Sequence, residues 1–80
     1  MLIKLYDYDY SKETPTTQLL KIIEEINELE QAGDDLDKVA EEGFDLIQAL
    51  VGYLIVLDID VGAANVRHLE KLCKRHGGGR

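Results

Sequence analysis

The segment Phe44–Leu57 is apolar almost all the way round a helix. Phe44, Leu46, Ile47, Ala49, Leu50, Val51, Tyr53, Leu54, Ile55, Val56 and Leu57 are interrupted only by Asp45, Gln48 and Gly52. A helix apolar on every side has to be covered on several sides. The whole chain has 80 residues, which makes one domain at most and buries only about 60% of its unfolded surface. Two further helices from so short a chain do not cover such a helix, so a homodimer or homotetramer is expected, with Phe44–Leu57 central to the interface. Cys73 is the only cysteine, which excludes an internal disulfide as the alternative source of stability.

The elements around this helix follow from their punctuation. Thr14-Pro15-Thr16 is a helix start, with threonine as cap and proline in the first turn. Leu19, Leu20, Ile22, Ile23, Ile26 and Leu29 then recur at helical spacing. The apolar positions predict one buried side, with Lys21, Glu24, Glu25 and Glu28 on the other. Gly33 suits the position just past the helix end. Asp34-Asp35-Leu36-Asp37 reads as a connection and the next cap rather than as metal ligands. The second helix is expected over about 37–57. Asp58-Ile59-Asp60 breaks it and caps a third helix over about 61–76, whose apolar stripe is Val66, Leu69, Leu72 and Cys73. Cys73 is expected in the core, and His68 and His76 on a surface or interface. Gly43 and Gly52 would allow close helix approach. Residues 1–13, with Tyr6, Tyr8 and Tyr10, read as an arm lying on the helices or on a partner. Its tyrosines suit packing, with stacking on a base as the rarer alternative. Residues 77–80 are a glycine-rich end expected to be mobile. The fold class is all-α: a helical hairpin plus a third helix, completed as a bundle by homo-oligomerisation, in a single domain over residues 1–80.

Charge is distributed unevenly. Glu24 to Asp60 holds twelve acidic residues and one basic, whereas Val61 to Arg80 holds five basic and one acidic. The net charge of −7 argues against general nucleic-acid binding. No apolar run approaches the ~20 residues of a membrane span, and no secretory signal is visible. A cytoplasmic location is therefore expected, with no nucleic-acid or membrane partner.

Within the acidic stretch two motifs stand out. Glu24-Glu25-Ile26-Asn27-Glu28 is E-E-x-x-E, and Glu42-Gly43-Phe44-Asp45 is E-x-x-D. Residues three apart on a helix share a face, roughly 5–6 Å apart at Cβ. Two carboxylates about 6 Å apart repel by roughly 3 kcal/mol at an effective dielectric near 20. Packing gives no reason to gather four, and a bound cation does. A cluster of hard oxygen ligands suits Mg²⁺, commonly shared with a substrate's phosphates. Glu42 borders the apolar face of its helix, a costly position for an unpartnered carboxylate.

Glu24-Glu25-x-x-Glu28 followed after thirteen residues by Glu42-x-x-Asp45 resembles the signature of the MazG-like all-α nucleoside triphosphate pyrophosphohydrolases. The resemblance spans Lys21–Leu54 and extends to the basic last helix, Asn65–His76. It implies Mg²⁺-dependent hydrolysis, with Mn²⁺ as a substitute, of an NTP or dNTP to the monophosphate and pyrophosphate. It implies Glu25, Glu28, Glu42 and Asp45 as metal ligands. It implies Glu24 as the group that orients or deprotonates the attacking water. Arg67, Lys71 and Lys74 are the candidate phosphate contacts. The rival readings are a non-enzymatic helical interaction module or regulatory dimer, and a metal-binding or nucleotide-sensing domain without turnover.

Overall fold

The computed structural model describes residues 3–77. They form three helices and no strand: α1 (Pro15–Gln31), α2 (Leu36–Val56) and α3 (Val61–Arg75). The helix starts follow the capping chemistry of the sequence. Thr17 N–H donates to Thr14 Oγ1 at 3.1 Å, and Thr14 N–H donates back to Thr17 Oγ1 at 2.9 Å. This reciprocal pair satisfies two donors that the first turn leaves free, and Pro15 occupies the first turn at no hydrogen-bonding cost. Asp35 accepts from Lys38 N–H and caps α2, while Asp60 accepts from Ala63 N–H and caps α3. Gly33 takes φ +58° just past the end of α1, where glycine carries no Cβ penalty.

Helices α1 and α2 pack as a hairpin. Helix α3 turns away by 112°, touches α2 sparsely and does not reach α1. No single helix among the described residues is long and apolar enough to cross a membrane. Of the glycine-rich end, only Gly77 lies within the described residues.

Two expectations about burial are corrected. The side of α1 facing α2 takes only Ile22 and Leu29 from the expected Leu/Ile side. Gln18, Ile22, Glu25 and Ala32 are buried and Leu29 is half-buried. Their four-then-three spacing makes a straight seam along one helix face. Leu19, Leu20, Ile23 and Ile26 are exposed, so the apolar face lies about 100° round from the seam. Glu25 therefore sits within the hairpin contact, while Glu24 and Glu28 flank it in solvent. Likewise Cys73 is exposed rather than core. Val66 and Leu69 on the same stripe are exposed too, because α3 swings away from the hairpin that would cover them.

The result is a thin core. Ile22, Ala32 and Ala49 are the only buried hydrophobic residues among those described, and no side chain is fully enclosed. On α2, Phe44, Leu50 and Ile55 remain exposed.

Residues 3–13 form the expected arm, extended over the hairpin. Gln48 holds it by both ends of its amide. Tyr6 N–H donates to Gln48 Oε1 at 2.9 Å, and Gln48 Nε2 donates to Tyr6 O at 3.0 Å and to the Tyr10 hydroxyl at 2.7 Å. The Tyr10 ring lies against Gly52. A Cβ there would stand 2.6 Å from Tyr10 Cε1 and 2.7 Å from Gln18 Nε2. Gly52 thus admits the arm's tyrosine and the Gln18 amide of the neighbouring α1, whereas Gly43 has nothing within 4 Å of an added Cβ.

Candidate metal centre and its cavity

Glu25, Glu42 and Asp45 each bring one carboxylate oxygen within 4.8 Å of the other two. The helical period aims Glu42 and Asp45 the same way from α2, and the seam of α1 carries Glu25 to meet them. Glu28 stands beside Glu42 but outside this triad. Glu25 is only 4% exposed. Its Oε1 meets Lys21 Nζ at 3.0 Å. Its Oε2 is buried with no hydrogen-bond partner, and so is Glu42 Oε2. Burial first, then the charges of Glu28 and Asp45, pushes the Glu42 carboxyl above its ordinary range. Each effect disfavours a charged oxygen with nothing to compensate it.

Two orphaned buried carboxylate oxygens need an explanation. The donor set offers one: three hard oxygens in close convergence fit a small divalent cation such as Mg²⁺ or Mn²⁺.

The triad opens on a cavity of about 560 Å³, within the range of small-molecule sites. Glu25 and Asp45 line it from the triad side, together with Glu24 and Lys21. Tyr8 and Tyr10 of the arm line it as well, with Gln48 of α2. Glu24 lies 3.6 Å from Lys21 Nζ. These contacts with Glu25 and Glu24 hold the Lys21 ammonium above its usual value. Lys21 is the only cation lining the cavity among the described residues.

Arg67, Lys71 and Lys74 are exposed on α3 and do not line this cavity in their own chain. Sequence reasoning missed Gln18 and Gln48. Gln18 donates to Ala49 O at 3.2 Å in the buried seam, and Gln48 anchors the arm. Gln48 was signalled by polarity inside an otherwise apolar helical stretch, whereas Gln18, following Thr16-Thr17, carried no such signal. Compared with known proteins, the chain matches no family model, no curated protein and no solved structure.

Proposed function

We propose that this chain is a divalent-cation-dependent nucleoside triphosphate pyrophosphohydrolase of the MazG-like kind, with Mg²⁺ as the natural metal and Mn²⁺ as a substitute. The observation that carries this reading is Glu25: a carboxylate buried in a helix seam, with one oxygen orphaned, converging with Glu42 and Asp45. The Lys21 pair accounts for Oε1 only, and a preorganised metal site gives the orphaned Oε2 a role.

Glu25, Glu42 and Asp45 would hold the ion, with Glu28 as an adjoining fourth carboxylate. When bound, the ion neutralises phosphate charge and lowers the pKa of a coordinated water. The remaining work is positioning, which dominates phosphoryl transfer. Glu24, on the cavity wall, would orient the attacking water and take its proton. Water adds across the anhydride between the α- and β-phosphates, leaving a monophosphate and pyrophosphate. Lys21 supplies the nearest positive charge for the phosphates. Its Nζ stands 3.0 Å from Glu25 Oε1, so a cation arriving at that oxygen would compete for it and free the ammonium. Arg67, Lys71 and Lys74 would reach phosphates through assembly rather than within their own chain.

We propose a homodimer or homotetramer, because Leu19, Ile23 and Ile26 on α1 and Phe44, Leu50 and Ile55 on α2 are exposed. A non-enzymatic helical interaction module would share those faces but leaves Glu25 unaccounted for. Pyrophosphate release from a panel of NTPs and dNTPs, with Mg²⁺ or with EDTA, tests the function. Mg²⁺-dependent release, abolished in Glu25→Gln, is the expected result. No release from any substrate by a protein that binds the metal would replace the enzyme with a sensing domain.

A further inference from the structure

The cavity brings together groups that are far apart in the chain: carboxylates from both helices and the tyrosines of the arm. Tyr10 is fixed. Its hydroxyl accepts from Gln48 and its ring lies against Gly52. Tyr8 is not buried by the fold, being 49% exposed. Its ring centroid stands 4.8 Å from that of Tyr10 with the planes tilted by 60°, a favourable aromatic pairing. An anchored ring therefore holds a half-open one on the cavity wall. The polar side chains nearby are already engaged. Gln48 is bonded to the arm, Gln18 to Ala49 O, and the Thr17 hydroxyl donates to Glu13 at 2.8 Å. This wall offers an aromatic face more readily than a hydrogen-bonding pattern.

We infer that Tyr8 is the stacking platform for the substrate's nucleobase, held in place by Tyr10 on Gly52, in the same cavity as the Glu25 and Asp45 carboxylates that take the phosphate end. This rests on reading the triad as the phosphate-side metal centre. A planar heteroaromatic ring joined to a polyanion is the ligand that uses both walls. Stacking accepts any base, because every base presents a π-face, so the platform selects nucleotides over bare polyphosphates and discriminates weakly among bases.

Calorimetric titration in Mg²⁺ tests this with two probes: an α,β-methylene nucleoside triphosphate, which resists cleavage, and inorganic tripolyphosphate, which lacks a base. Wild type should bind the nucleotide more tightly than tripolyphosphate. Tyr8→Ala should weaken nucleotide binding about 5- to 150-fold and leave tripolyphosphate binding unchanged. Tyr8→Phe should keep nucleotide affinity, since the ring and not the hydroxyl does the stacking. Tyr8→Ala removes a half-exposed ring whose only side-chain hydrogen bond is long, 3.4 Å to Glu13, and whose one aromatic partner is Tyr10, so the variant should fold. Circular dichroism checks that each variant is folded. Wild-type nucleotide affinity in Tyr8→Ala, or equal losses in Tyr8→Phe and Tyr8→Ala, overturns the platform while metal and tripolyphosphate binding keep the phosphate-side reading intact. A wild-type protein that binds neither Mg²⁺ nor tripolyphosphate overturns both.

Discussion

Glu25→Gln should make the metal-free protein more stable and the metal-loaded protein less so. The substitution keeps the shape of the side chain and removes one charge from the triad. The triad oxygens lie within 4.8 Å of one another, and two unit charges at that outer limit repel by about 3.5 kcal/mol at an effective dielectric of 20 and by about 0.9 kcal/mol in bulk water. Asp45 is exposed, so the lower part of that range applies, about 1–2 kcal/mol for Glu25 against Asp45. The new amide also offers a donor to the orphaned Glu42 Oε2. Against this stands the loss of the Lys21 contact. Lys21 is half in solvent, and such pairs contribute about 0–1 kcal/mol. Lys21 is not left as a buried charge when its partner goes, so the large penalty of breaking a buried pair does not arise. The net gain is about 1 kcal/mol, or about 4–8 °C in Tm for a domain of this size. With Mg²⁺ at a hundred times its Kd, wild type gains about 2.7 kcal/mol, and the variant, short of a ligand, gains far less. The order of the two melting temperatures therefore inverts between EDTA and Mg²⁺. Paired thermal melts at one fixed protein concentration read this directly. A variant that melts below wild type in EDTA would show that Glu25 is a structural partner of Lys21 and refute the metal-site reasoning.

The same logic predicts that Asp45→Asn is neutral or stabilising in EDTA and loses Mg²⁺ affinity by calorimetry; wild-type affinity would reduce the triad to a surface patch. The raised pKa of Glu42 means that folding favours its protonated form. Its contribution is then fully present below the ordinary value of 4.5 and lost as pH rises through the higher folded value. Melts in EDTA from acidic to neutral pH should show a downward slope that Glu42→Gln diminishes and saturating Mg²⁺ flattens at the neutral end. Lys21→Met should bind Mg²⁺ alone at least as tightly as wild type, since a competing cation is gone, and bind tripolyphosphate more weakly; parallel losses of both would make Lys21 a structural residue. Ile23→Glu or Phe44→Glu should drive sedimentation toward a 9 kDa species if these exposed faces join copies of the chain, and an already monomeric wild type would remove that proposal.

Local signals in the chain determined where its helices begin and end. Thr14 with Pro15, Gly33, Asp35 and Asp60 act through hydrogen bonds and backbone angles within a few residues, so the sequence alone places them. The convergence of Glu42 with Asp45 was equally readable, because a period of 3.6 residues sets which neighbours share a face. Periodicity does not say which face meets which neighbour. The apolar count on α1 pointed to Leu19, Leu20, Ile22, Ile23, Ile26 and Leu29 as its inner side, yet of these only Ile22 and Leu29 meet α2, beside Gln18 and Glu25. Only that choice of seam carries Glu25 to Glu42 and Asp45. The arm's path over Gly52, the entry of Tyr8 into the same cavity and the departure of α3 with its cations were likewise tertiary decisions. They depend on a missing Cβ at Gly52, on one glutamine amide and on the angle of a break after Val56, each acting between residues far apart in the chain.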